Sequence, residues 1–347
     1  MKGIFANRSV LFQAGILSYL FLTGLVVGAI SGEIFGDLFI TITNSPFTGV
    51  TYRLFYPIHI SQFLSCVLSF LLPAILTAYL CNIHPKNFLH IHKINVRVLI
   101  SMLPMVIFLL PTVELTSYLN SKIQLPDFMS PIENLMRETE DKLTQITNSL
   151  LSEKGAIPFI VNIIVIAVMA GITEEFMFRG AILSIVRKRI KNTHVAIWIV
   201  ATLFSAIHFQ FYGFIPRLFL GAFFGYLLYW SKSIWAPVFA HFLHNAITVM
   251  AHYAELPTEF TDEATLTGKN IDNGDWITAI FITAAGLFLF VLCARLMRKY
   301  CLQNKITPHE DNTPNKDDTS REDNTPNKDD APNENNMPNK DDTPHEK

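Results

Sequence analysis

The sequence predicts an all-α polytopic membrane protein of about eight transmembrane helices, followed by a disordered C-terminal tail. Three observations carry this reading. Half of the residues are hydrophobic and only 16% are charged, whereas a soluble domain is about a quarter charged. Apolar runs close to the ~20 residues that a bilayer requires recur along the chain. Basic and acidic residues also alternate from one connecting loop to the next, as the positive-inside rule demands of a membrane topology.

The expected spans cover residues 10–30, 58–81, 98–118, 157–183, 195–213, 214–230, 234–252 and 276–297. The first is long enough to span and more follow, so it reads as an anchor and not as a cleaved signal. Lys2 and Arg8 precede it. Lys86, Lys93 and Arg97 fall between spans two and three, Arg187 to Lys191 between four and five, and Lys232 between six and seven. Arg295, Arg298 and Lys299 close the last span. The alternate loops are acidic, beginning with Glu33 and Asp37 and continuing with Asp127 to Asp141 and Glu255 to Asp275. This pattern expects both termini in the cytoplasm. Spans five and six are separated only by the residues around Gly213 and Pro216, a junction that could dip into the membrane if protein or a wet cavity covers it.

Outside the spans, residues 131–151 repeat Ile132, Leu135, Met136, Leu143, Ile146 and Leu150 near helical spacing, which predicts an amphipathic helix on the outer side. After Lys305 the chain becomes polar, and Asn-Thr-Pro-Asn-Lys-Asp-Asp occurs at 312–318 and again at 324–330. Such a segment has nothing to bury and is expected to be a disordered cytoplasmic tail. The expected organisation is therefore four parts: N-terminal helices with the outer amphipathic loop (1–155), catalytic helices (156–252), an outer loop with the last helix (253–302), and the tail (303–347).

Composition excludes some functions. A net charge of −2 argues against a nucleic-acid partner. The four cysteines, Cys66, Cys81, Cys293 and Cys301, form no CxxC pair and no metal spacing, and read as buried thiols.

The chemistry-bearing residues sit in the later spans. Glu174 and Glu175 follow the apolar run from Ala156 to Ala170, with Arg179 on the same segment. A charge at bilayer depth costs ~2.5–3.5 kcal/mol on insertion scales, so its presence asks for a function. Glu175 and Arg179 are four residues apart and share a helical face, where they can pair. Glu174 is rotated by about 100° and faces elsewhere. His208 follows Phe204 by four, and His241 precedes Asn245 by four. Each cluster alone is as readily a helix-packing network as a site. Together they supply a general base, its partner and electrophilic donors, the parts needed to activate water and stabilise an oxyanion. One geometric demand follows. Counted from the cytoplasmic ends of the expected spans, His208 lies deeper than Glu174 by roughly 10 Å, so span five must begin lower or span four must tilt.

At these residues the sequence resembles the CPBP family, which contains the CAAX prenyl endopeptidases and bacterial bacteriocin-processing or immunity proteins (Abi proteins). The resemblance rests on Glu-Glu-x-x-x-Arg, then Phe-x-x-x-His, then His-x-x-x-Asn, in this order, and on Ser233 to His241, within residues 156–250. It implies an intramembrane endopeptidase acting on a membrane-associated peptide or protein, with a polar chamber open to the cytoplasmic side. The site it implies is Glu174, Glu175, His208, His241 and Asn245, with Arg179 and Phe204 in support. Glu174 would activate water with His208 as partner, His241 and Asn245 would stabilise the oxyanion, and Glu175 with Arg179 would support them. No cofactor is certain. Glu174, His208 and His241 could hold zinc, although no His-Glu-x-x-His signature is present.

Two other readings stay open: non-catalytic bacteriocin self-immunity or membrane peptide binding, and a transporter relaying protons through Glu174 or Glu175. His59 and His252, near span ends, are expected at interfaces. His84, His90 and His92 fall in a basic cytoplasmic loop, where a solvated loop is expected ahead of an HxH metal site.

Overall fold

A computed structural model describes residues 2–42, 50–255 and 273–303. All its regular structure is helical, with no strand among the described residues. Helix α1 spans Val10–Ile42. Helix α2 runs from Val50–Cys66 through a π-helical stretch, Val67–Leu71, into Leu72–Cys81. After a short turn of helix at Pro85–Phe88 come α3, Val96–Ser121, and α4, Ser130–Leu150. Helix α5 covers Ala156–Arg189 as one continuous rod. Then follow α6, Thr193–Ala206, α7, Phe214–Ser231, α8, Trp235–Tyr253, and α9, Asn273–Gln303. The tail read as disordered lies outside the described residues.

Five of these helices, α1, α2 from Phe55, α3, α5 and α9 from Trp276, are long and apolar enough to cross a membrane. Their outer surfaces carry exposed Leu22, Val26, Ile100, Ile160, Phe281 and Phe288. Apolar side chains in that number on the outside of a polytopic bundle face lipid, and this is an integral membrane protein. The remaining three of the eight expected spans are α6, α7 and α8, which are shorter or more polar. They pack among the others: α6 against α7, and α8 against both α5 and α3.

Two expectations about the elements need correction. Helix α1 does not stop near residue 30; it continues to Ile42, so Glu33 and Asp37 sit on its exposed surface and not in a loop. The fifth segment does not run to 213 either. Helix α6 ends at Ala206, only 14 residues long, and residues 207–213 form an irregular turn. This change removes the depth mismatch. Helix α5 continues to Arg189 and α6 begins at Thr193, so Glu174 and His208 each lie fifteen residues from the same end of the helix pair. At 1.5 Å per residue both are about 22 Å in.

The turn therefore lies at bilayer depth, where unsatisfied backbone groups are costly. Side chains from several elements satisfy it. Asn120, near the end of α3, donates to the Phe211 carbonyl (3.0 Å) and accepts from the Ile215 N–H (2.7 Å). The Ser205 hydroxyl donates to the Phe214 carbonyl at 2.6 Å. From α4, Glu140 accepts from the Gln210 side chain and the Tyr212 N–H. The amphipathic helix expected at 131–151 is thus present as α4, and its buried Glu140 is fastened to this turn. Arg137 of the same helix lies over the Tyr212 ring at 4.6 Å, and Glu133 accepts from Arg137 at 2.7 Å.

Candidate active site

Helix α5 sets the site through its departures from α-helical winding. Two π-helical stretches, Ile163–Met169 and Phe176–Ile182, flank the α-helical turn Ala170–Glu175. Wide turns of this kind occur often at functional sites because they leave backbone groups without their usual partners. Here the Ile166 carbonyl accepts from the Asn245 side chain of α8 at 2.9 Å. One turn on, Gly171 lets α8 approach: a Cβ there would stand 3.1 Å from the Val238 carbonyl and 3.2 Å from the Phe242 nitrogen. Small residues at such crossings permit backbone contact between membrane helices. The approach carries His241 up to the glutamate pair.

Glu174 and Glu175 then diverge. Glu175 is fully buried, and its Oε1 accepts from Arg179 at 2.8 Å and from His241 Nδ1 at 2.9 Å. The Arg179 guanidinium, 1% exposed, also donates to the Gly221 carbonyl of α7 at 2.8 Å. It lies 4.5 Å from the Phe204 ring centre and 5.3 Å from that of Phe224, on whose face His241 stacks at 4.8 Å. A guanidinium is suited to such a place because it bonds in its plane and stacks on its faces. Phe204 is thereby one wall of the Arg179 site and also the backbone anchor of His208.

Glu174 points the other way. Its Oε2 lies 3.9 Å from His208 Nε2. His208 Nδ1 is 2.7 Å from the Phe204 carbonyl. A carbonyl only accepts, so Nδ1 carries a proton, and Nε2 is the ring nitrogen turned toward Glu174. The Oε2 atoms of both glutamates are buried without a hydrogen-bond partner among the described protein groups. Buried, unpartnered carboxylate oxygens in a native fold call for a specific reason. At 3.9 Å, one water oxygen can lie within hydrogen-bond distance of both Glu174 Oε2 and His208 Nε2.

The structure brings Glu174, Glu175, Arg179, Phe204, His208 and His241 together, with Asn245 one helical turn from His241 on α8. Asn245 is the member whose placement differs most from its expected role, because one of its N–H groups is committed to Ile166. Zinc does not fit this donor set. Among the described residues no three His, Cys, Asp or Glu side chains converge as a metal site requires. His241 turns Nδ1 to Glu175, so only its Nε2 could serve as a metal donor.

Sequence reasoning missed Asn120, Gln210 and Arg217, which hold the turn bearing His208. No periodicity marks them. The one available signal was the presence of amide and guanidinium groups beside a junction too short to reach water. His59 also proved to lie elsewhere than expected. It is buried, with Nε2 2.6 Å from the Asn162 side-chain oxygen and Nδ1 2.7 Å from the Phe55 backbone carbonyl, and Asn162 in turn donates to Tyr253 at 2.9 Å. His252 is exposed, as expected, with Nε2 3.1 Å from the Leu151 carbonyl.

Fold and cluster together define a polytopic helical membrane protein with a carboxylate–histidine site enclosed among its helices. Comparison with known families adds the next step: residues 156–247 match the family described as type II CAAX prenyl endopeptidase Rce1-like. The resemblance read from the three motifs is borne out over that segment, which holds every residue of the cluster. A curated relative is the uncharacterized protein YpbD of Bacillus subtilis (strain 168), 26% identical over 104 residues, which are 29% of this chain and 49% of that protein. The chain thus spans about half the length of that relative. No solved structure matches the chain. The family match supports a function of the CAAX-type intramembrane protease kind.

Proposed function

We propose that the protein is an intramembrane endopeptidase that hydrolyses a peptide bond in a membrane-associated substrate, with Glu174 as general base. The observation that carries the reading is the pair of Glu174 Oε2 and His208 Nε2, 3.9 Å apart, one unpartnered and the other on a ring oriented by Phe204. A water held by both is polarised by the carboxylate and oriented by the imidazole. As the water oxygen attacks the substrate carbonyl carbon, Glu174 takes its proton. The C–N bond of the tetrahedral intermediate then breaks, and the proton passes to the departing amine.

The intermediate's oxyanion needs donors already in place. His241 gives Nδ1–H to Glu175, so its Nε2 donates only when the ring is the imidazolium, whose charge Glu175 meets from behind. Arg179 holds Glu175 in place for that task. Asn245 gives one N–H to Ile166 and retains the second. The loop charges support a topology with both termini in the cytoplasm and water reaching the chamber from that side. The substrates in view are a prenylated CAAX protein or a leader peptide, and the partners are that substrate and the lipid bilayer.

The test compares cells carrying wild type with cells carrying Glu174→Gln, by mass spectrometry of membrane-associated peptide termini. Termini that vanish in the variant, at equal protein level, are the products. Matching profiles would remove the catalytic reading in favour of peptide binding or immunity.

A further inference from the structure

Arg217 lies in the first turn of α7, beside the turn that carries His208. Its guanidinium rests directly on Gly213, where a Cβ would stand 2.5 Å from Nη1 and 2.7 Å from Nη2. The missing side chain at 213 is what makes room for it. Nη1 donates to the Gln210 carbonyl and Nη2 to the Gln210 side-chain oxygen. Gln210 is itself held by Glu140 of α4 at 3.2 Å. The cation is therefore fixed in position, and both of its acceptors are neutral.

This differs sharply from Arg179, whose charge is met by Glu175 at 2.8 Å. Among the described residues Arg217 forms no ion pair. It is partly buried, Glu140 and then Glu174 are the carboxylates whose fields reach it, and it also lies within electrostatic reach of His208. Two of its five N–H groups are used, and the rest of the planar fork is available to a second acceptor. A fixed guanidinium that no carboxylate bonds directly, next to a general base, is suited to an anionic group of the substrate. It would also offset the repulsion that Glu174 exerts on such a group. The same turn borders an open groove of about 320 Å³ lined by Leu135, Met136, Phe209, Phe211 and Phe214, which suits apolar peptide side chains next to the anion.

We propose that Arg217 is a specificity residue that binds a carboxylate of the peptide held at the Glu174–His208 site. The inference rests on the proposed function for the site's occupant but not for its chemistry. The carboxylate has two possible sources, the free C-terminus of the peptide or an acidic side chain near it.

Binding distinguishes them without turnover. Full-length protein in lipid vesicles, in a Glu174→Gln background, is titrated with three fluorescent N-palmitoyl peptides ending in apolar residues. One is a free acid, one the C-terminal amide, and one the amide with glutamate at the last position. Charge-assisted hydrogen bonds of this type predict that the free acid binds roughly tenfold to a hundredfold tighter than the amide. Arg217→Gln brings that ratio close to one, and Arg217→Lys leaves an intermediate value. If the glutamate-bearing amide is the tight binder instead, the carboxylate source is a side chain. A role confined to bracing the turn would weaken all three peptides together and keep their ratios.

The inference is overturned if no peptide binds, if neither carboxylate peptide binds tighter than the plain amide, or if the preference survives Arg217→Gln. Should Arg217→Gln bind none of the three, an unchanged ratio in Arg217→Lys overturns it. A carboxylate preference that depends on Arg217, in a protein that cleaves nothing, would keep this inference and remove the catalytic one.

Discussion

Removing the Arg179 guanidinium tests how the site is held. In Arg179→Gln, Glu175 loses its bond of 2.8 Å from arginine while remaining fully buried, and the Gly221 carbonyl loses its own bond of 2.8 Å. Breaking a buried pair by deleting one partner costs about 3–5 kcal/mol, because the remaining charge stays desolvated. That is a large share of the ~5–15 kcal/mol that holds a typical fold. Removing the second charge as well, in Glu175→Gln/Arg179→Gln, relieves the orphaned carboxylate and should recover about 2 kcal/mol or more as coupling between the two sites. Denaturant unfolding in detergent micelles measures all three variants against Arg298→Gln, an exposed arginine outside the site. A loss below about 1 kcal/mol for Arg179→Gln, with no coupling in the double variant, would refute the argument that these charges need one another.

Other outcomes follow from the same geometry. Glu174→Gln, His208→Ala and His241→Ala should each lower cleavage by roughly a hundredfold to ten-thousandfold while the protein still inserts, as measured by product formation in vesicles. Asn120→Leu leaves the Phe211 carbonyl and the Ile215 N–H unsatisfied in the turn. It should cost about 2–4 kcal/mol in a micelle unfolding assay and reduce cleavage by displacing His208. Burial lowers the His90 imidazole, in the loop after α2, to about 4 from the ordinary 6.5. The folded protein thus refuses a proton that the unfolded chain accepts. The contribution is whole above pH 6.5, is lost as pH falls toward 4, and amounts to at most about 3 kcal/mol. His90→Asn, which suits the positive φ at this position, should flatten that stretch of a melting-temperature profile against pH.

The helical class, the membrane character and the members of the candidate site were legible in the sequence because each has a local signature. Long apolar runs report spans, and charges inside them stand out. The divergence of Glu174 from Glu175 also followed from adjacency on a helix. What could not be read was where the regular winding stops. Helix α6 ends at Ala206 because Asn120, Ser205 and Glu140 satisfy the backbone beyond it, and the first and third of these come from distant parts of the chain. Long-range side-chain bonds of this kind leave no period behind. For the same reason His59 was assigned to an interface, although Asn162, 103 residues away, gives it a buried partner.

The wide turns in α5 have a further consequence for how its faces are counted. In an α-helix each residue advances by about 100°, and a wheel drawn at that angle assigns every side chain a direction. A stretch bonded from i to i+5 advances less per residue. The two such stretches on either side of Glu174 and Glu175 underwind the rod in the same sense, so their rotations add. The end near Ala156 and the end near Arg189 are rotated relative to each other by an amount that no uniform wheel reproduces. The carboxylates can thus be aimed inward while both ends of the rod keep directions suited to lipid and loop. The helix achieves this without a proline kink at the centre of the site.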